Sequence, residues 1–366
     1  MAPDGAGADP SRTQATGIGL VLMTLVGWSS VPLFLRYFAE DIDGWTSNGW
    51  RYGAAAVMWL PVLLIGGFRR SLPAGLFKAA IIPSVVNAIG QVCFTWAHYF
   101  IDPGLVTFSL RVHIVCVTIG AAMLFPAERA IIRRPLFLAG MALVIGGTIA
   151  TMLLAPQKQE TAATASGYLA DSPRLALLAG VGLAVAAGVL FACYALSVRK
   201  LMQGVNSIVA FAAISQYTAA AMIALMLLLG TSAGLSALPT NWSDAGALTL
   251  TQFALVLFSA VIGIALGHVG YYMSINRLGV AVASGVIQLQ PFCVAIASLA
   301  IFGEVLTGLQ WTTGSLAVVG AGAMLYTQHR AAKAARAKRL DEFDNLPPDH
   351  VAAAASGQRV FSRAES

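Results

Sequence analysis

Charged residues are scarce in this chain: only 10% of its 366 residues are Asp, Glu, Lys or Arg, whereas 58% are hydrophobic. A soluble domain carries about 25% charged residues. The shortage argues against a soluble protein and predicts a polytopic membrane protein. The net charge of +6 is modest and lies mainly in the predicted loops and the C-terminal segment, so we interpret it as a signal of membrane orientation and not as a nucleic-acid interface.

Cysteine pairs and catalytic motifs are also missing. The four cysteines fall inside apolar runs and form no CxxC pattern, so we interpret them as packing residues and expect neither a disulfide nor a metal site. The sequence contains no HExxH motif, no GxSxG motif with a partner triad and no phosphate-binding loop. It therefore predicts neither an enzyme nor a bound cofactor. The first apolar run lacks a cleavage motif, so no cleavable signal peptide is expected.

Long apolar runs are what the sequence has in abundance. A helix needs about 20 apolar residues to cross the hydrocarbon core. Ten such runs are present, near Thr16–Phe38, Trp45–Gly67, Ala79–Phe100, Gly104–Phe125, Pro135–Leu154, Leu175–Val198, Ser207–Gly230, Leu248–Tyr272, Ala281–Phe302 and Gln310–Thr327. We expect residues 1–15 to be a disordered tail, residues 155–173 to be an outer linker, and residues 329–366 to be a cytoplasmic tail that is basic at first and disordered beyond about Leu340.

The charges predict how the chain is oriented. Basic residues follow the even-numbered spans, and the opposite loops carry most of the acidic residues that lie between spans. The basic residues are Arg69, Arg70, Lys78, Arg129, Arg133, Arg134, Arg199, Lys200, Arg277 and those of the C-terminal segment. Because Lys and Arg concentrate on the cytoplasmic side, the pattern predicts a multi-pass protein of the bacterial inner (plasma) membrane with both termini in the cytoplasm.

The two halves of the sequence repeat. Gly90-Gln-Val-Cys93 matches Gly267-His-Val-Gly270, and Cys116 matches Cys293 at the same offset. Residues 16–154 and 174–328 hold five spans each, an odd number, so the halves would insert with opposite orientations. The predicted fold is an all-α integral membrane protein of ten transmembrane helices in two inverted five-helix repeats, an arrangement typical of secondary carriers.

Short motifs make the chain resemble a known family. They are Gly27-Trp28-Ser29-Ser30, Arg51-Tyr52-Gly53-Ala54-Ala55, Gln290-Pro291, Phe302-Gly303-Glu304, Trp311 and Gly314. With these residues the chain resembles the drug/metabolite transporter superfamily, in its ten-span EamA-type branch, over about Thr16 to Gln328. It departs from the family pattern at Phe125-Pro126-Ala127-Glu128, where an aliphatic-Gly-Glu ending is more usual. The resemblance implies a carrier of small metabolites or drugs, often in the export direction.

Arg111 is the main candidate for a substrate-binding residue. It lies inside the fourth span, and none of the 16 acidic residues is central in a span. A guanidinium can bind a carboxylate through two hydrogen bonds, so Arg111 predicts an anionic substrate group. The alternative is that Arg111 reaches the interface or pairs with Asp102. His113 points away from Arg111 on a regular helix, and we expect it to form an interhelical hydrogen bond.

The ninth span carries the equivalent stretch, Ile287-Gln288-Leu289-Gln290-Pro291. The proline removes a backbone donor, which predicts a kink beside Gln288 and Gln290. Freed carbonyls and amides bind substrates in carriers with broken helices, although a kink can also be purely structural. Gln288 stands at the position equivalent to Arg111, so we predict that these two residues form a matched pair of ligands.

Polar stripes on two other spans supply further candidates. Asn87, Gln91, Thr95 and His98 share one face of the third span, and His268 and Tyr272 lie on the matching face of the eighth. These side chains would face either a cavity or a neighbouring helix. Trp28, followed by Pro32, could form an aromatic wall or simply pack in the interior. Arg51 lies near a span end, and we interpret it first as an anchor at the membrane interface or as a partner of a loop residue.

The prediction from sequence is a secondary transporter of a small organic metabolite, such as an amino acid or another carboxylate-bearing solute, working by alternating access as a monomer or homodimer. The alternative is an efflux carrier for cationic compounds, which the positive Arg111 and the absence of acids inside the spans disfavour. A channel or a membrane scaffold is a further alternative. Saturable flux would distinguish a carrier from a channel.

Overall fold

A computed structural model describes residues 10–125, 129–154, 172–230, 248–278 and 280–344. Everything it describes as regular structure is helical. Several expectations fall outside these ranges: most of the N-terminal tail and of the linker, the Pro126-Ala127-Glu128 ending, and the end of the C-terminal tail.

The first repeat forms five spans, of which the fourth is divided into two helices. Its helices are α1 Pro10–Phe38, α2 Gly44–Phe68, α3 Leu76–Phe100, α4 Pro103–Ser109, α5 Val112–Leu124 and α6 Pro135–Leu153. Asp43 caps α2 by accepting hydrogen bonds from the backbone N–H groups of Trp45 and Thr46. This cap satisfies donors that the first turn of a helix leaves open.

The second repeat has the same plan. Its helices are α7 Pro173–Leu201, α8 Ser207–Leu229, α9 Leu250–Ser259, α10 Gly267–Leu278, α11 Val280–Ile287, α12 Gln290–Phe302 and α13 Gly308–Asp344. A π-helical segment, Ala260–Leu266, joins α9 to α10 within the eighth span. Asn206 caps α8 through Ile208 N–H, at the position equivalent to Asp43. Neither π-helix nor cap was evident from the sequence.

Among the described residues, eight helices or helix pairs are long and apolar enough to cross a membrane. Helix α6 is shorter but also apolar, and α13 is the tenth span. The predicted fold, an all-helical membrane protein of ten spans, is thereby confirmed. We call the side on which α1 begins and α13 ends the terminal face, and the other side the opposite face.

The fourth span of each repeat is interrupted at an equivalent place, between α4 and α5 in the first repeat and between α11 and α12 in the second (the ninth span of the chain). Between α4 and α5 the N–H groups of Arg111 and His113 bond to the carbonyls of Phe108 and Leu110, three residues back. Between α11 and α12 the N–H groups of Gln288 and Leu289 do the same. Such tightened turns interrupt the regular ladder of an α-helix. The stretches that stood out in the sequence are thus the joints of two divided spans.

The packing of the helices also obeys the repeat. The most extensive contacts between spans join α6 to α13, α3 to α7, α2 to α8 and α1 to α10. When the two repeats are exchanged, the α1–α10 pair corresponds to the α7–α3 pair. The α6–α13 and α2–α8 pairs each correspond to themselves. The fold therefore has an internal pseudo-two-fold relation, and each helix pair joins one repeat to the other.

Small residues let α1 and the eighth span approach closely. A Cβ atom added at Gly27 would lie 2.6 Å from the carbonyl oxygen of Ile262, and one added at Gly263 would lie 2.1 Å from Val31. Gly267 and Gly270 face Trp28 and α1 in the same way. Gly263, Gly267 and Gly270 therefore form a small-residue packing surface on the eighth span.

The two ends of the described chain are more helical than expected. Helix α1 begins at Pro10, so its first residues lie in the segment predicted to be a tail. Helix α13 continues to Asp344, through the basic segment and beyond Leu340. The run of alanine with Lys and Arg after Thr327 is made of strong helix formers, which explains why the helix does not end with the apolar run.

Candidate functional site

The guanidinium of Arg111 lies at the joint of the fourth span and is 6% exposed. Its Nε donates to the carbonyl of Thr107 at 3.1 Å. That carbonyl is available because the tightened turn directs the Arg111 N–H to Phe108 instead. The side chain thus bonds to a backbone acceptor that the break releases, and this bond fixes the direction of the guanidinium.

The other two guanidinium nitrogens reach the joint of the ninth span. Arg111 Nη1 donates to Gln288 Oε1 at 3.2 Å, and Nη2 donates to Gln290 Oε1 at 3.0 Å. Arg111 and Gln288 are 177 positions apart, the offset that relates these spans of the two repeats. The pair expected from the sequence is therefore in direct contact, and the contact joins the two pseudo-symmetric joints.

Gln290 connects this group to the first span. Its Nε2 donates to the carbonyl of Trp28 at 2.9 Å. Pro32 lies four residues after Trp28 and has no N–H, so this carbonyl lacks its usual intrahelical donor. Helix α1 continues through Pro32, and the effect of the proline is to provide an acceptor for Gln290. Pro291 likewise does not interrupt a helix but stands in the first turn of α12, after the joint.

The charge of Arg111 is not neutralised within the described part of the chain. All three of its acceptors are neutral oxygens, and no described Asp or Glu forms an ion pair with it. The expected alternative, a pair with Asp102, is not observed. A charged side chain inside a membrane span is costly in free energy, and such residues usually mark functional sites. Arg111, Gln288 and Gln290, with the Trp28 carbonyl, are called the arginine site below.

Aromatic rings adjoin the arginine site. The ring of Trp28 lies 5.0 Å from that of Tyr271 and 5.4 Å from that of His268, and His268 stacks on Phe211 at 5.1 Å. Trp28 Nε1 donates to Gly263 in the π-helical segment at 3.1 Å. The rings around Trp28 thus come from both repeats, and their contacts suit both the aromatic wall and the interior packing that the sequence left open for Trp28.

Tyr271, which the sequence reasoning missed, takes the place expected for Tyr272. It packs on Trp28 and lies within electrostatic reach of Arg111, whereas Tyr272 lies near Tyr194 of α7. His268, Tyr271 and Tyr272 all stand in α10, so Tyr271 lies three residues and Tyr272 four residues after His268. Residues three and four apart share one face of an α-helix, so the helical period alone does not choose between the two tyrosines.

The polar stripe of α3 is divided among several contacts. Asn87 donates to Thr218 of α8 at 3.3 Å, and Thr95 donates to Asn48 of α2 at 2.8 Å. These are interhelical hydrogen bonds, the alternative reading of the stripe. Gln91 is half-buried and forms no hydrogen bond with a described residue. The interhelical bond expected of His113 is likewise absent among the described residues.

Arg51 is buried and not at the interface, contrary to our first interpretation. It is 2% exposed, and its Nε donates to Ser259 at 3.1 Å. Ser259 immediately precedes the π-helical segment, so Arg51 ties α2 of the first repeat to the irregular part of the second. The distance of Arg51 from the end of its span gave no sign of this, because the partner is on a helix 208 residues away.

Replacing Pro32 with alanine is expected to weaken ligand binding at the arginine site. The new N–H would bond to the Trp28 carbonyl within α1 and displace Gln290. Losing one neutral hydrogen bond corresponds to roughly a fivefold change in dissociation constant. Ligand titration followed by thermal unfolding would measure it. Pro61→Ala in α2 is the matched control, and equal effects of the two substitutions would contradict the assigned role of Pro32.

Comparison with known proteins gives two results. The sequence model of a family described as "EamA-like transporter family" matches residues 15–153 and again residues 178–326. A solved structure described only as "Crystal structure of protein" aligns with 87% of this chain and 99% of that chain, with a TM-score of 0.55 and 15% identity. At this identity the likeness concerns the fold. No curated protein matches.

Proposed function

Since the chain belongs to the EamA-like transporter family, we propose that it is a secondary carrier of a small carboxylate-bearing metabolite, such as an amino acid or a related compound. Transport would run in the export direction across the bacterial inner membrane and proceed by alternating access. The family membership makes the chain a transporter and not an enzyme. The substrate class, the direction and the mechanism are our proposals.

We propose this substrate class because all the oxygens that accept hydrogen bonds from Arg111 are uncharged. A planar guanidinium matches a carboxylate through two parallel hydrogen bonds. The Nη1 and Nη2 donors now bond to amide oxygens, which a carboxylate can replace at the same nitrogens. The exchange would neutralise the buried charge and leave the two amides to bind other polar groups of the solute, such as an ammonium.

The position of the arginine site supports alternating access. The Arg111–Gln288 contact joins equivalent residues of two inverted repeats, and each residue stands at the joint of a divided span. Carriers built from inverted repeats bind their substrates between the repeats, near the middle of the membrane. A rocking movement of one repeat against the other would open such a site to either face without moving the ligands far.

The distribution of charge supports the orientation. The terminal face carries Arg69 and Arg70 between α2 and α3, Lys78 in the first turn of α3, and Arg277 near the end of α10. The opposite face carries Glu40, Asp41, Asp43, Asp102 and Glu304. Loops rich in Lys and Arg remain in the cytoplasm, so the terminal face would be cytoplasmic.

Counterflow in proteoliposomes tests the proposal. Vesicles preloaded with one solute would be assayed for accelerated uptake of the same labelled solute, across amino acids, organic acids, their methyl esters and primary amides, and cationic drugs. We expect saturable counterflow for a carboxylate and at least tenfold less for its ester or amide. Counterflow restricted to cations would favour the rival cationic exporter, and non-saturating flux would favour a channel. Either result would overturn the proposal.

A further inference from the structure

An ion pair joins the two repeats at the opposite face. Arg36, near the end of α1, donates from Nε to Glu304 at 3.0 Å and from Nη1 to Glu40 at 2.9 Å. Ser298 of α12 donates to the other carboxylate oxygen of Glu304. Arg36 is 8% exposed, so water screens this pair less than it would screen a surface pair. We call the Arg36–Glu304 contact the outer clamp, because the opposite face is the outer one in the proposed orientation.

The backbone explains why Glu304 turns back toward α1. Helix α12 ends at Phe302, and Gly303 adopts a left-handed conformation with φ of 71°. Glycine takes this conformation without steric cost, and it is a common way for helices to end. The next residue, Glu304, then meets Arg36 from the first repeat. The sequence motif Phe302-Gly303-Glu304 therefore encodes a contact between the repeats.

A second contact between the repeats, made by the equivalent arginine, lies on the terminal face. The guanidinium carbon of Arg199, near the end of α7, lies 4.0 Å from the centre of the Phe125 ring at the end of α5. This is a cation–π contact, in which the ring face attracts the positive charge. Arg199 is the repeat equivalent of Arg36, and Phe125 is the equivalent of Phe302. We call the Arg199–Phe125 contact the inner clamp.

The two clamps hold different halves of the divided spans. The outer clamp ties α12 to α1, and its Glu304 and Ser298 lie next to Asp102 and Gly104 at the start of α4. The inner clamp ties α5 to α7. The arginine site lies at the joints between these halves, so each clamp stands between the site and one face of the membrane.

We propose that the outer and inner clamps are alternating gates, and that breaking one while keeping the other sets the face to which the arginine site opens. The inference rests on the proposed carrier function and adds the residues that control access. Arg36, Glu304, Arg199 and Phe125 act as positioning residues and do not contact the solute. The gates differ in chemistry: the outer one is an ion pair, and the inner one includes an aromatic ring.

The chain contains its own matched reporters. Cys116 in α5 and Cys293 in α12 are repeat equivalents, both half-buried, and they lie in the halves that the inner and outer clamps hold. Two single-cysteine proteins would be made, with the other cysteines replaced by serine or alanine. A membrane-impermeant maleimide would be applied from the outer face to label Cys293 and from the inner face to label Cys116.

Opposite changes at the two cysteines are the expected result. Arg36→Gln should increase labelling of Cys293 and decrease labelling of Cys116, and Arg199→Gln should do the reverse. The shift should be on the order of fivefold, as expected for the loss of one such contact. The swap Arg36→Glu with Glu304→Arg should restore the original ratio. Arg277→Gln is the control, because this exposed arginine donates to Met273 of its own helix.

Two results would overturn the inference. If both cysteines became more reactive in Arg36→Gln, the clamp would be a structural contact whose loss loosens the bundle. If labelling did not change at either cysteine, neither contact would control access. Labelling needs no substrate, so failure of the gates can be separated from a wrong substrate class: counterflow of a carboxylate could succeed while the labelling test fails, or the reverse.

Discussion

Replacing Arg111 with glutamine is expected to reduce transport of the carboxylate-bearing solute by about 100-fold or more, with folding and membrane insertion retained. The substitution removes a charge-assisted bidentate contact in a poorly hydrated site, and truncating one partner of such a pair costs about 2–5 kcal/mol. Glutamine can still hydrogen-bond to the amides of Gln288 and Gln290, which is why the fold should survive. Initial rates of counterflow in proteoliposomes measure the effect.

Two further variants separate charge from geometry. Arg111→Lys keeps the charge but loses the planar fork, so it should transport at a rate between those of the wild type and Arg111→Gln. Arg277→Gln removes one positive charge at the terminal end of α10 and should transport normally. A well-folded Arg111→Gln protein with the wild-type rate would mean that Arg111 is a structural residue, whose role is to hydrogen-bond to the amides of Gln288 and Gln290.

Replacing Gln288 with glutamate is expected to abolish transport while raising the unfolding temperature. The side chains have nearly the same shape, so the new carboxylate would lie close to Arg111 Nη1, where the amide oxygen is now 3.2 Å away. It would neutralise the guanidinium and occupy the place assigned to the solute. The internal partner acts at a very high effective concentration, so solute binding should fall by about 100-fold.

The pseudo-symmetry of the site offers a rescue. In the double variant Arg111→Gln with Gln288→Arg, the cation moves to the equivalent position of the other repeat. The guanidinium would again lie between the two joints, and we expect partial recovery of transport relative to Arg111→Gln alone.

If Gln288→Glu transported normally, or bound the carboxylate as tightly as the wild type, the guanidinium would not be the site of anion binding.

The periodic features of the fold were accessible from the sequence. Apolar runs of membrane length gave the spans, and the matches Gly90 with Gly267 and Cys116 with Cys293 gave the repeat. The same offset paired Arg111 with Gln288, which are now seen in contact. An inverted repeat brings equivalent positions of a central span together on its axis, which is why the sequence offset could identify this contact. The role of this pair in binding stays a prediction.

Irregular backbone was not accessible in the same way. Nothing in the run Ala260–Leu266 distinguishes a π-helix from an α-helix, since its glycine and aliphatic residues suit both. A tertiary contact accompanies the π-helix, the donation from Trp28 Nε1 to the carbonyl of Gly263.

Long-range contacts of single side chains were also beyond the sequence. Arg51 near the start of α2 has the position of an interface anchor, yet it is buried and donates to Ser259 of a helix in the other repeat. Likewise, Arg36 carries no sign that Glu304 is its partner, although Glu304 stands in a recognisable motif. A motif identifies a residue that matters to the fold, but it does not identify the residue that it contacts.

The central claim is that Arg111 binds a carboxylate. The most direct measurement is the thermal stabilisation of the purified protein by a carboxylate ligand, found by counterflow, compared with its primary amide, in the wild type and in Arg111→Gln. A ligand that binds only the folded protein raises its stability by mass action. The account predicts that the carboxylate stabilises the wild type, that the amide does not, and that the difference vanishes in Arg111→Gln. Equal stabilisation by the two ligands, or a difference that persists without Arg111, would contradict it.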